Sequence, residues 1–174
     1  MSSCNLACIR VWTYPQLLVQ LQAAGQRSER RVKAAQLASG RMLSRKELTD
    51  KLTRKGIDPD TAEETADWLE SLGAVDDAAY AGGIARHYAA SGYGPGRVRQ
   101  ELQKRGIPRE LWDDALFQLP DSAEAIDLFL RKKLGGRTPD RAMLKKLSDA
   151  LLRRGFSWND IRPALNRLGG EIEE

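Results

Sequence analysis

Apolar residues fall at helical spacing along most of this chain. Leu48 and Leu52, Val98 and Leu102, and Leu147 and Leu151 each stand four apart, and each pair is followed four residues later by a glycine. The glycines close three matching segments: Arg54-Lys55-Gly56-Ile57, Lys104-Arg105-Gly106-Ile107 and Arg153-Arg154-Gly155-Phe156. A four-residue apolar spacing marks one buried helix face, and a glycine after a cationic last turn suits the left-handed residue that ends a helix. The glycines are 50 and 49 residues apart, which predicts tandem copies of one supersecondary unit.

The pattern predicts nine helices in three groups of three. In the first group a helix near 28–40 uses Val32, Ala35 and Leu37. A second over 44–55 opens with the capping-box pair Ser44 and Glu47, and a third over 58–72 opens with Asp58-Pro59 and carries Trp68, Leu69 and Leu72. The second group begins at Asp76-Asp77, with Tyr80, Ile84 and Tyr88 as its expected buried stripe. Pro95 then opens the helix of Val98 and Leu102, and Pro108 opens a short helix with Leu111, Trp112, Ala115 and Leu116. In the third group Asp121 and Glu124 form an expected capping pair before Ile126, Phe129, Leu130 and Leu134. Thr138-Pro139 opens the next helix with Met143, Leu147 and Leu151, and Ser157 and Asp160 cap a last one burying Ile161, Ala164 and Leu165. β-Branched residues nowhere alternate over a useful length, so the expected class is all-α. Units of about 45 residues bury little core alone and gain by stacking, which predicts an elongated array of three tandem three-helix repeats. The expected boundaries are 28–74, 75–119 and 120–170, between an N-terminal extension at 1–27, expected to be flexible, and an acidic tail at 171–174.

Composition narrows the class. At 174 residues with 41% hydrophobic, 6% aromatic and 30% charged residues, the chain reads as soluble and helical rather than disordered. No run is long and apolar enough to span a bilayer, and the start lacks the pattern of a signal peptide, so the expected location is the cytoplasm. Cys4 and Cys8 are the only cysteines and lack the partners of a zinc site, so no metal or cofactor is expected.

Charge separates the repeats. Residues 28–74 carry nine cations and nine anions, 75–119 six of each, and 120–170 eleven cations against six anions. The middle helix of every repeat, at 44–55, 95–105 and 139–154, has a surplus of three cations, whereas 58–72 holds six carboxylates and no cation. A basic helix in each repeat suits a phosphate backbone or a carboxylate-rich groove, although cations near a helix C-terminus are also favoured by the macrodipole whatever the protein binds. The candidate contacts are Arg45, Lys46, Arg97, Arg99, Lys104, Arg105, Arg131, Lys132, Lys133, Lys145, Lys146, Arg153 and Arg154. Other features point to structure rather than chemistry. His87 stands alone and fits a stacked or hydrogen-bonded surface role; Asp76-Asp77 reads as a helix cap; Gly92-Tyr93-Gly94-Pro95-Gly96 lacks a phosphate-loop ending and reads as a hinge. Trp68, Trp112 and Trp158 sit in the closing helices, where packing is expected. No catalytic constellation emerges, so an enzyme is not expected.

Three segments carry a family resemblance. Leu43-Ser44-Arg45-Lys46-Glu47-Leu48…Leu52…Lys55-Gly56 resembles the opening signature of the RecX regulatory proteins, and Leu72-Gly73-Ala74-Val75-Asp76-Asp77-Ala78-Ala79-Tyr80-Ala81 resembles their acidic-pair-then-aromatic element. The most specific is Gly94…Gly96-Arg97-Val98-Arg99-Gln100-Glu101-Leu102…Lys104-Arg105-Gly106-Ile107. The likeness covers roughly 30–168, and the third repeat matches loosely through Leu151 and Arg153-Arg154-Gly155-Phe156. The resemblance implies three three-helix repeats and binding to the recombinase RecA, chiefly as its filament on single-stranded DNA, lying in the filament groove. It further implies modulation, in the direction of inhibition, of RecA's ATPase, strand-exchange and co-protease activities in DNA repair, recombination and the SOS response. A monomer is expected, and repeated surfaces on one chain give avidity for the filament over the free recombinase. Two alternatives remain open: a single-stranded nucleic-acid binder acting by competition, and a helical scaffold with neither partner.

Overall fold

The computed structural model describes residues 34–36 and 40–169. Val32, Leu37, the cysteines, the 1–27 extension and the 171–174 tail therefore lie outside the described residues. Within the described residues the chain is helical and without strands: α1 (Arg45–Arg54), α2 (Pro59–Ser71), α3 (Asp77–Ala90), α4 (Pro95–Lys104), a 3-10 turn (Arg109–Leu111), α5 (Trp112–Phe117), α6 (Ser122–Leu134), α7 (Arg141–Arg153) and α8 (Trp158–Asn166). Residues 34–36 are also helical, with Ala34 and Ala35 buried.

Local chemistry explains most of these limits. Ser44 caps α1 in a capping box: its hydroxyl accepts from the Glu47 N–H at 3.0 Å while the Ser44 N–H donates to the Glu47 carboxylate at 3.2 Å. Asp58 accepts from the Thr61 N–H and Pro59 follows at the first helical position, where a missing N–H costs nothing. Asp76 accepts from the Ala79 N–H, and Ser157 accepts from the Asp160 N–H. Gly56, Gly106 and Gly155 take φ of +85°, +67° and +85°, the left-handed turns that the repeated motif requires.

Four expectations change. Asp121 precedes α6 without a side-chain cap bond. The helix expected from Thr138-Pro139 begins later, at Arg141, with Asp140 as its cap accepting from the Met143 N–H at 2.7 Å. The short helix after Pro108 starts as a 3-10 turn before becoming α5. On α3 the buried stripe is Ala81, Ile84 and Ala85 with Gly82, while Tyr80 and Tyr88 stay half-buried. Small side chains let that face pack closely, and the tyrosines flank it.

The chain divides into two compact units. One runs up to Tyr80 and takes in the turn Arg105–Ile107; the other holds Ala81–Lys104 and Pro108 onward. The first has a core of Ala34, Leu43, Leu48, Leu52, Ala62, Ala66, Leu69 and Val75, with Ile57 and Trp68 packed on it. The second contains the core of the third repeat, around Ile126, Leu130, Leu144, Leu147, Leu151, Phe156, Ile161 and Leu165, with Phe129 and Trp158 against it. No helix among the described residues is long and apolar enough to cross a membrane.

Candidate partner-binding surface

The repeated glycine turn is a joint. In the first unit the Arg105–Ile107 turn lies against the start of α1. The Ser44 hydroxyl donates to the Arg105 carbonyl at 2.5 Å while accepting from its own helix, so one hydroxyl fills both of its roles. A Cβ on Gly106 would stand 2.1 Å from Cδ of Lys46, so the lysine stem lies directly over the glycine. The Arg105 guanidinium bonds the Tyr80 hydroxyl, reaches Glu47 at 3.3 Å and lies 5.4 Å over the Tyr80 ring. Burial pushes the Tyr80 phenol above its ordinary pKa, with Glu47 adding to the shift and Arg105 opposing it.

Asp77 completes this contact. Its carboxylate accepts from the Arg45 N–H at 2.8 Å and is buried. Desolvation raises its pKa above the ordinary carboxylate value; the Arg45 bond opposes the shift, and nearby Glu70 and Asp76 add to it. The Arg45 side chain turns to α2 instead, meeting Glu63 at 2.5 Å, Asp67 at 2.5 Å and Glu70 at 3.2 Å. Its guanidinium pKa is raised, led by the hydrogen bond to Asp67.

The second unit repeats the arrangement with glycine in place of serine. Gly94 N–H donates to the Arg154 carbonyl at 2.8 Å, and Gly96 N–H to the Gly155 carbonyl at 2.9 Å. A Cβ on Gly94 would come within 2.8 Å of the Phe156 ring, and one on Gly155 within 2.2 Å of the Arg97 nitrogen. The glycine-rich stretch expected to be a hinge is thus a close-packed seat; two backbones approach too tightly for any side chain. Arg154 donates to the Ser91 and Gly92 carbonyls at 3.1 and 3.0 Å, and lies 5.3 Å over Tyr93 and 5.0 Å over Phe129.

These joints sort the thirteen candidate cations. Arg45, Arg105 and Arg154 are half-buried and held within the protein. Lys46, Arg97, Arg99, Lys104, Arg131, Lys132, Lys133, Lys145, Lys146 and Arg153 are exposed. Two of the exposed set have side-chain partners of their own, Lys46 with Asp50 at 3.0 Å and Arg97 with Gln100 at 3.0 Å. In the third repeat a cavity of about 960 Å³ is lined by Arg131, Arg137 and Arg167 together with Asp127, which pairs with Arg167 at 2.7 Å. Arg137 and Arg167 fall outside the repeated motif, and only the cationic surplus of 120–170 pointed to them. His87 is exposed and lies edge-on to Tyr88 with ring centroids 5.6 Å apart. Among the described residues no cluster of three His, Cys, Asp or Glu could hold a metal.

Comparison with known proteins assigns the three helical repeats to a family. The RecX first three-helix domain matches residues 31–69, the second 76–116 and the third 121–165. The chain belongs to the RecX family. Similar relatives include the regulatory protein RecX of Xanthomonas citri, 41% identical over 124 residues that span 70% of this chain and 76% of that protein. RecX of Stenotrophomonas maltophilia strain R551-3 is 41% identical over 128 residues, with the same coverage of 70% and 76%. Among solved structures, RecX from Lactobacillus salivarius superposes with a TM-score of 0.70 at 26% identity, covering 80% of this chain and 97% of that one. A second regulatory protein RecX gives 0.65 at 25% identity, covering 87% and 77%. RecX proteins are thus regulatory proteins of three tandem three-helix domains, and this chain is one of them.

Proposed function

We propose that this RecX-family chain binds the recombinase RecA, chiefly as its filament on single-stranded DNA, and restrains its ATPase, strand-exchange and co-protease activities. The observation that carries the reading is the ordered presence of all three RecX domains. The ten exposed cations are the proposed contact surface; Lys46 and Arg97 among them also pack at the joints. Each repeat, at 28–74, 75–119 and 120–170, brings a modest share, and repetition on one chain gives avidity for a polymer over a free subunit. The chain acts as a monomer, in the cytoplasm where the recombinase works, and without catalysis of its own.

Co-sedimentation with recombinase filaments and with bare single-stranded DNA, side by side, tests this. Retention by filaments at salt that releases the chain from bare DNA supports the reading. The cationic surplus of the third repeat favours one rival, direct binding to single strands with the recombinase displaced by competition. Many direct phosphate contacts would give a steep log–log salt slope, about 0.7 per contact on single strands, and equal retention by bare DNA and filament.

A further inference from the structure

We propose that the first repeat's glycine turn, Arg54–Lys55–Gly56–Ile57, is a third joint seat, and that it receives the N-terminus of an α-helix of the partner protein; this rests on the recombinase reading above. The turn is already folded in the form of an occupied one. Gly56 and Gly155 share a φ of +85°. Gly56 N–H donates to the Thr53 carbonyl at 2.9 Å and Ile57 N–H to Leu52 at 3.2 Å; in the third repeat Gly155 N–H donates to Leu152 at 2.9 Å and Phe156 N–H to Leu151 at 3.2 Å. What differs is cover. Ile107 and Phe156 are 4% exposed, whereas Ile57 is half-buried; Lys55 and Gly56 are exposed where Arg105, Gly106, Arg154 and Gly155 are half-buried. A Cβ on Gly56 meets no described atom within 4 Å.

The two filled seats define the occupant. Each takes the first turn of an α-helix whose cap residue, Ser44 or Gly94, points a donor at the carbonyl just before the glycine. A helix C-terminus leaves carbonyls without partners and carries partial negative charge, and a helix N-terminus brings spare N–H groups and the opposite charge. The fit at Gly56 therefore calls for a helix opening with Ser, Thr or Gly. A second copy of this chain does not supply it. The homologous helix start in its third repeat is capped by Asp140, whose carboxylate already accepts from Met143 and would set an acceptor against the Lys55 carbonyl, and the Ser157 hydroxyl that opens α8 already donates to the Asp160 carboxylate at 2.7 Å. A nucleic acid does not supply it either, since phosphates offer acceptors where donors are required.

Gly56→Asn tests the seat, because Asn tolerates a left-handed turn while placing a side chain where the partner helix would lie. Gly169→Asn is the control: Gly169 has a φ of +87° and open space around it. With recombinase filaments on single-stranded DNA as the probe, Gly56→Asn should weaken binding about tenfold, the scale of one or two lost interfacial hydrogen bonds. The Gly169→Asn chain should bind as wild type. Wild-type affinity in Gly56→Asn overturns the seat and leaves the recombinase reading standing. A wild-type chain that fails to bind filaments overturns that reading and this assignment together. A fall in melting temperature in Gly56→Asn larger than that of Gly56→Ala, with filament affinity unchanged, would show that the chain fills its own seat, because Asn bears the left-handed turn better than Ala. Self-association abolished by Gly56→Asn would show that a second copy does. Either result overturns the proposal.

Discussion

Ser44 shows how much one side chain decides. Aspartate is usually as good a helix cap as serine, so Ser44→Asp would be harmless in an isolated helix. Here the hydroxyl must also donate to the Arg105 carbonyl, and a carboxylate cannot. Ser44→Asp should therefore destabilise the fold by about 1–3 kcal/mol, as an acceptor left facing an acceptor. Ser44→Thr, which keeps donor and acceptor, should cost well under half as much in urea denaturation. Equal losses would mean the joint contributes nothing. Asp77 gives a pH signature. Its carboxyl has a raised pKa in the folded protein because burial disfavours the charge. Below the ordinary carboxylate value both states are protonated and nothing is lost; as pH rises from there to the folded value, the folded state holds the extra proton and stability declines. Asp77→Asn retains an acceptor for the Arg45 N–H and removes the ionisation, so its stability should fall less than wild type over that window. Asp77→Ala orphans the N–H and should be the less stable substitution at every pH. A thermal-melt series from pH 4 to roughly 7, spanning the ordinary carboxylate range and above, would check both.

At the scale of helices, the apolar spacing, the Ser44 capping box and the turn glycines were readable because they are local. Leu48 and Leu52, Val98 and Leu102, and Leu147 and Leu151 are buried as their spacing requires. What the sequence hid is contact between distant segments. Gly94 and Gly96 looked like a hinge because glycine permits motion, but the same absence of a Cβ permits the approach of Gly155. Tyr80 and Tyr88 looked like core because they stand four from Ile84, yet Ala81 and Ala85 allow tighter packing beside it and leave Tyr80 to bond Arg105. The only available signal was the glycine-rich stretch itself. The joints predict an order of costs. Gly56→Ala should lose about 1–2 kcal/mol for a left-handed alanine. Gly155→Ala carries that strain and also forces a Cβ to within 2.2 Å of the Arg97 nitrogen, so its loss should be larger in chemical denaturation. Equal losses would show the second joint to be open in solution.

On the scale of the whole chain, the repeats gave the family's domain plan, and the candidate cations divide into exposed residues and ones held at the joints. Charge in sequence does not tell a solvated cation from one spent on a joint. Arg105 and Arg154 share the motif's last turn with exposed Lys104 and Arg153, and only the fold separates them. That division sharpens the functional test. Arg97→Glu with Arg99→Glu, and Lys145→Glu with Lys146→Glu, alter exposed residues on α4 and α7 while leaving the buried Val98, Leu102, Leu147 and Leu151 in place. Helicity and melting should stay near wild type, since exposed substitutions away from caps and cores usually shift stability by about 0.5 kcal/mol or less. Filament inhibition should weaken with each pair and weaken further with both, because repeats on one chain contribute through effective concentration. Arg154→Glu should act differently. It removes bonds to the Ser91 and Gly92 carbonyls and the contacts with Tyr93 and Phe129, so it should lower the melting temperature whether or not a partner is present. Wild-type inhibition by the quadruple variant would show the basic faces to be merely solvated. The contact surface would then have to include the acidic α2, where Glu63, Asp67 and Glu70 are already drawn toward Arg45.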